Sequence, residues 1–210
     1  MALKSRILGL VVVAGLLSAC GSVHPGAAAV VNGERITMQE ADSIAPLYCL
    51  VQLAGQQESA VFDNAQIRRE ALSSLIFIEV ADQLAAEKNL TVKVSDDLGA
   101  PAEAFREALD PEFRDDFDSL MEQNLRFGAI AIALGRSVAP DVADENELLN
   151  IGMGEIGKAL GESDIDIDPR FGINAMGEQI ADSGSLSAMT VNLDRSTADT
   201  RAAATLCSAV

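Results

Sequence analysis

Cysteine and histidine are the side chains best suited to chemistry in this chain, and both are scarce. The 210 residues include three cysteines, Cys20, Cys49 and Cys207, and one histidine, His24. A cysteine or serine nucleophile usually needs a histidine base, and many metal centres need several imidazoles. Because His24 lies near the amino terminus, beside Cys20, we expect neither kind of centre in a packed site.

The first cysteine ends a segment with the pattern of a bacterial lipoprotein signal. Lys4 and Arg6 precede an apolar run of 11 residues, well short of the roughly 20 needed to cross a bilayer. The run leads into Leu17-Ser18-Ala19-Cys20, which resembles the lipobox, where the cysteine is acylated and becomes the first mature residue. We therefore predict a signal peptide over residues 1–19, a lipid on Cys20, and a tether over 20–26 that holds the chain at the outer face of the cell membrane.

Cys49 and Cys207 are the two cysteines left once Cys20 is acylated. The compartment outside the cytoplasm is oxidising, so two remaining thiols favour a single disulfide. This bridge would tie the C-terminal tail to the first predicted helix. Two free thiols are the alternative.

The charge of the chain restricts its partners. The net charge is −17, and removal of Lys4 and Arg6 with the leader makes it −19. Such acidity argues against charge-driven binding of DNA, RNA or anionic lipid headgroups, so no nucleic-acid partner is predicted. The sequence contains no second long apolar run, and we predict no transmembrane helix.

Two short motifs resemble ligand-binding loops but lack the surroundings that such loops need. The glycines of Gly152-Met153-Gly154-Glu155-Ile156-Gly157 match a dinucleotide fingerprint, yet an acidic helical segment precedes them instead of a strand. The stretch Asp164 to Asp168 begins like a calcium loop, but Pro169 and Ala175 stand where glycine and glutamate are required. We predict a glycine-bearing helix or loop, a strand with an acidic face and no cofactor, and we leave weak surface binding of calcium open.

Apolar periodicity predicts a mainly α fold with a small sheet. Asn32-Gly33 between apolar flanks predicts a β-hairpin, and Thr37 with Glu40 predicts a capping box. The sheet should join this hairpin to a C-terminal strand within a single domain over 27–210, helical over 37–161 with a strand and tail over 162–210. The predicted helices are Met38 to Gly55 with a bend at Pro46, Asp63 to Lys88, Ser95 to Leu109 with an interruption near Gly99-Ala100-Pro101, Asp110 to Leu134, and Asp141 to Gly161. The predicted C-terminal strands are Ile165 to Ile167 and Leu186 to Leu193.

Aromatic and methionine side chains follow helical spacing, which predicts that most of them lie in the core. Some could line an open apolar groove, because methionine and phenylalanine suit adaptable binding of varied peptides. Our candidates for such contacts are Phe113, Phe117 and Met121.

The N-terminal hairpin resembles the start of SurA-type periplasmic chaperones. The residues that carry the resemblance are Ala28-Ala29-Val30-Val31-Asn32-Gly33-Glu34-Arg35-Ile36-Thr37, followed by a helix with the similar pattern Arg68 to Ile76. It covers about residues 27–135. The segments 168–172 and 183–187 resemble the ends of actinobacterial lipoproteins with this domain.

The resemblance implies a peptide-binding chaperone module of the SurA N-terminal type. Relatives often carry a parvulin prolyl isomerase domain, which needs roughly a hundred residues. Only about 30 residues, 135–163, separate the helical region from the C-terminal strand. We therefore expect a non-enzymatic, lipid-anchored binder of unfolded or exported polypeptides. The alternatives are an accessory cell-envelope lipoprotein with one dedicated protein partner and, less favoured, a prolyl isomerase.

Overall fold

The computed structural model describes residues 25–54, 61–95, 97–180 and 206–208. Cys20, the leader and the predicted strand Leu186 to Leu193 lie outside these residues. The described part is mainly helical with two small sheets, as predicted for the mainly α fold. Its strands are β1 (Ala27–Val31), β2 (Glu34–Thr37), β3 (Val61–Asp63), β4 (Ile165–Ile167) and β5 (Leu206–Ser208), and its helices are α1 (Met38–Ala54), α2 (Asn64–Glu87), α3 (Ala100–Ala108), α4 (Arg114–Val138) and α5 (Glu145–Glu162).

The hairpin and the start of α1 form as local sequence signals predict. Asn32 and Gly33 both have positive φ, 51° and 93°, which the tight turn between β1 and β2 requires. The Glu40 carboxylate accepts hydrogen bonds from the Thr37 N–H at 2.6 Å and from its hydroxyl at 2.7 Å. The Glu40 N–H donates to the Thr37 hydroxyl at 3.1 Å, which completes the capping box.

The edges of three helices differ from the predictions. Ser95 does not cap α3, because its hydroxyl accepts from the Asp97 N–H at 3.1 Å, and the helix begins only after Gly99, whose φ is 76°. Pro111 opens a 3-10 turn rather than α4, which starts at Arg114 and continues to Val138. Helix α5 begins at Glu145 instead of Asp141, because the Asp144 carboxylate caps it by accepting from the Glu147 N–H at 2.9 Å.

The first sheet has the strand order β2-β1-β4, and all its pairs are antiparallel. The predicted connection between the hairpin and the strand Ile165–Ile167 is thus confirmed. Ala28, Ala29 and Val31 of the central strand are at most 1% exposed. They belong to one apolar cluster with Leu72, Ile76 and Val80 of α2 and with residues of α4 and α5, so the small sheet is packed against the helical layer.

Helices α4 and α5 approach each other through two glycines. A Cβ at Gly135 would lie 2.0 Å from the carbonyl oxygen of Leu148, and a Cβ at Gly152 would lie 1.7 Å from that of Ala131. These separations leave no room for any side chain, so each glycine lets the backbone of the facing helix come close. The glycine motif therefore lies within α5, and its first glycine, Gly152, serves helix packing.

Gly152→Ala should disrupt this contact. Relieving the overlap requires the two helices to separate, and we expect a loss of about 3 kcal/mol or more in the free energy of unfolding. Gly154→Ala, on the exposed side of the same helix with no atom within 4 Å of the added Cβ, should instead gain about 0.5–1 kcal/mol from helix propensity. Urea denaturation followed by circular dichroism measures both; equal effects of the two substitutions would contradict this packing.

A second, two-stranded sheet joins the C-terminal tail to the helices. Val61, Phe62 and Asp63 of β3 pair antiparallel with Ser208, Cys207 and Leu206 of β5. The predicted disulfide is present, with Cys49 of α1 bonded to Cys207 and the two Cα atoms 5.7 Å apart. Cys207 is 2% exposed and packs with Ile44, Ile67 and Ala71.

Removing this bridge should destabilise the fold. The double substitution Cys49→Ser and Cys207→Ser opens a loop between residues separated by 158 positions. A loop of this size predicts a loss of about 4–5 kcal/mol in the free energy of unfolding. Denaturation curves under oxidising conditions test this, and the difference should vanish when both proteins are measured with a dithiol reductant. Two alkylatable thiols in the native wild-type chain would contradict the bridge.

Candidate functional site: an apolar groove beside helix α4

The predicted peptide-contact residues belong to a small core between α1, α3 and α4. Phe117 is 2% exposed and clusters with Leu47, Leu109 and Leu120. Its ring centroid lies 5.5 Å from that of Phe105. The burial of Phe117 corrects its assignment to an open groove, because a fully packed ring has no face left for a peptide in this conformation.

Phe113 and Met121 are half-buried and pack against the edge of this cluster. Next to it, the Arg106 guanidinium donates two hydrogen bonds to the Asp118 carboxylate, at 2.5 and 2.6 Å. These hydrogen bonds lower the pKa of Asp118. The pair links α3 to α4 at the surface, so it holds together the two helices that carry the aromatic cluster.

An open apolar groove lies elsewhere on α4, between this helix and residues 91–95. Its volume is about 580 Å³. One wall is a stripe of α4 at helical spacing, and its residues are partly buried: Leu125, Gly128, Ala129, Ile132 and Ala133. No other described helix or strand covers this apolar stripe on the groove side, so it is the candidate binding surface.

Gly128 lies in the floor of this groove. A Cβ added there would meet no atom within 4 Å, in contrast to the closely packed Gly135 and Gly152 on the neighbouring side of the helix pair. The space over Gly128 is therefore not filled by any described residue, as at Gly154 and Gly157 on α5, but only Gly128 lines this groove. A larger side chain at this position would occupy the groove without pushing into the core.

Three charged residues border the groove: Lys93, Arg136 and Glu145. Arg136 and Glu145 approach to 3.7 Å, and both side chains are well exposed, so their attraction is weak. Lys93 forms no ion pair with any residue that the structure describes. The rim is slightly positive although the chain as a whole carries −17.

A second, polar cavity of about 390 Å³ lies at the hairpin turn. The side chains at its centre form hydrogen bonds within the protein. The Asn32 amide donates to the Gln83 side chain at 2.7 Å and its oxygen accepts from the Asp164 N–H at 2.8 Å. Gln83 in turn donates to the Val31 carbonyl at 3.0 Å. These bonds fasten the turn to α2 and to the start of β4, which assigns this cavity a structural role.

The acidic stretch 164–168 contains the predicted strand, β4. Ile165 and Ile167 are half-buried while Asp164 and Asp166 are exposed, as predicted for a strand with an acidic outer face. Within the described residues, no three histidine, cysteine, aspartate or glutamate side chains are grouped to hold a metal ion. In the same part of the chain, no helix is both long and apolar enough to span a membrane.

Comparisons with known proteins do not assign the chain to a family. No family model, no curated protein and no solved structure matches it. The resemblance to SurA-type chaperones rests on short motifs and stays a prediction.

The sequence alone does not predict the groove. Its apolar stripe follows the same helical spacing as core positions, so periodicity alone cannot separate the two. Gly128 was the available signal, because a glycine in the middle of an otherwise helix-favouring segment needs a packing or functional reason.

Proposed function

We propose that this chain is an extracytoplasmic lipoprotein that binds unfolded polypeptides through the groove beside α4. The observation that carries the proposal is the groove of about 580 Å³ lined by the partly buried apolar stripe around Gly128. An apolar groove binds through buried area and discriminates little between sequences, which suits varied unfolded segments. The proposed activity is binding without catalysis.

The tether supports a location close to the membrane surface. Only four residues lie between Cys20 and Pro25, and the five Cα–Cα steps from Cys20 to Pro25 span at most about 17 Å. The described chain then enters β1 directly, where the Gly26 carbonyl accepts a hydrogen bond from the Met38 N–H at 2.8 Å. A lipid on Cys20 would therefore hold the folded domain against the bilayer, where exported chains emerge.

Cys20→Ser should release the chain from the membrane. Without the thiol no acyl chain can be attached, and the remaining chain has the acidity that disfavours binding to anionic headgroups. Incorporation of radiolabelled palmitate and the share of protein in the membrane fraction should both fall to background. Unchanged membrane association of the serine variant would contradict lipid anchoring.

The mature chain, residues 20–210 with Cys20→Ser, should suppress aggregation of a reduced, unfolded secreted protein at several-fold excess. Gly128→Leu should abolish most of this suppression, because it fills the groove. Gly157→Leu is the matched control: it is also a half-exposed helical glycine with no atom within 4 Å of an added Cβ, but it lies on α5 away from the groove. Light scattering measures the aggregation.

Three results would contradict the proposal. Absence of suppression by the unmodified chain would exclude general chaperone-like binding and favour a lipoprotein with one dedicated partner. Equal activity of the Gly128 and Gly157 variants would exclude the groove as the binding site. Measurable turnover in a proline-isomerisation assay would show an enzyme instead.

A further inference from the structure

Residues 91–95 form the wall of the groove opposite α4. Thr91, Lys93 and Ser95, at every second position, line the groove, which is the spacing of an extended chain. Leu90 and Val92 pack against the main core, whereas Val94 is 38% exposed. The core therefore holds the first half of the segment, and the second half lies at the surface.

The backbone of this segment resembles an unpaired edge strand. The Leu90 N–H still bonds to the Ala85 carbonyl, at 2.9 Å. Beyond it, the N–H and C=O groups of residues 91–95 form no hydrogen bond with any other backbone group in the described part of the chain. A row of such groups along an extended chain is a template for pairing with another strand.

A strand that paired with residues 91–95 would place alternate side chains over the α4 stripe, where Gly128 leaves open space. The partly buried Leu125 and Ile132 line the groove and would contact apolar side chains of the added strand. Five residues of such a strand span about 17 Å, so a short extended segment is enough to pair with residues 91–95.

The charges at the rim favour an acidic group in the bound segment. Lys93 has no ion-pair partner among the described residues, and the exposed Arg136 has only a weak contact with Glu145. In a chain with a net charge of −17, this rim is a local site that attracts a carboxylate rather than repelling it.

We propose that the groove binds an extended segment of another polypeptide, which adds as a strand to residues 91–95, lays alternate apolar side chains on α4 and places a carboxylate near Lys93. This inference rests on the proposed function and specifies its binding mode. Strand addition differs from the other common way in which an apolar groove binds a polypeptide, the docking of an amphipathic helix.

Synthetic peptides test the binding mode directly. The reference peptide alternates leucine and serine over nine residues and carries one aspartate near its end; fluorescence anisotropy measures its affinity for the mature chain, residues 20–210 with Cys20→Ser. Two further peptides carry backbone N-methyl groups on alternate residues, one on the odd set and one on the even set. A fourth peptide has the same composition in a helical apolar spacing.

Strand addition predicts an asymmetric result. One N-methylated peptide should bind at least tenfold more weakly, because about two or three backbone hydrogen bonds are lost on the pairing edge. The other should bind as the reference does. Gly128→Leu should weaken the reference peptide and Gly157→Leu should not. Lys93→Glu should weaken the aspartate peptide at least threefold and leave its lysine counterpart unweakened, while Lys158→Glu on α5 should change neither.

Each contrary result has its own meaning. Equal affinity of both N-methylated peptides and the reference would overturn strand addition while leaving polypeptide binding intact. Preference for the helically spaced peptide would overturn it in favour of helix docking. Absence of binding by every peptide, together with no suppression of aggregation, would overturn the proposed function and this inference together.

Discussion

The close contact between α4 and α5 is the constraint on which the rest of the structure depends. Gly135 and Gly152 bring each helix backbone within van der Waals distance of the other, against Leu148 and Ala131. This contact commits one side of α4 to the core, where Ile130 and Leu134 join the cluster around the sheet. The neighbouring stripe around Gly128 is thereby left facing outward, beside residues 91–95. The groove is thus a consequence of how the helix pair packs.

The C-terminal tail is held by a different interaction. The bond between Cys49 and Cys207 and the pairing of β3 with β5 fix the tail onto α1 and α2. Nearby, Arg69 is only 6% exposed. Its burial lowers its pKa, and the nearby charge of Asp63 opposes that shift. The nearby carboxylate offsets part of the cost of burying the Arg69 cation. The disulfide and this charge interaction therefore both act in the region that holds the tail.

Local sequence signals predicted the hairpin, the capping box and the helices, because each depends on residues close together in the chain. The bridge was predictable because lipidation of Cys20 would leave only one pair of cysteines. The pairing of β3 with β5 was not predictable, since strands of three residues carry little pattern and their partner lies in the distant tail. The burial of Phe117 and the exposure of the Gly128 stripe also escaped prediction. Both sets of residues have the same helical spacing, and only the packing of neighbouring elements decides which one is covered.

The central claim is that unfolded polypeptide occupies the groove between residues 91–95 and α4. A map of amide chemical shifts in the isotopically labelled mature chain, recorded while a permanently reduced and alkylated secreted protein is added, tests it most directly. The largest changes should fall on residues 91–95 and on the stripe from Leu125 to Arg136, with little change around the Cys49–Cys207 bridge or the hairpin turn. Changes centred on another surface, or no changes at saturating polypeptide, would contradict it.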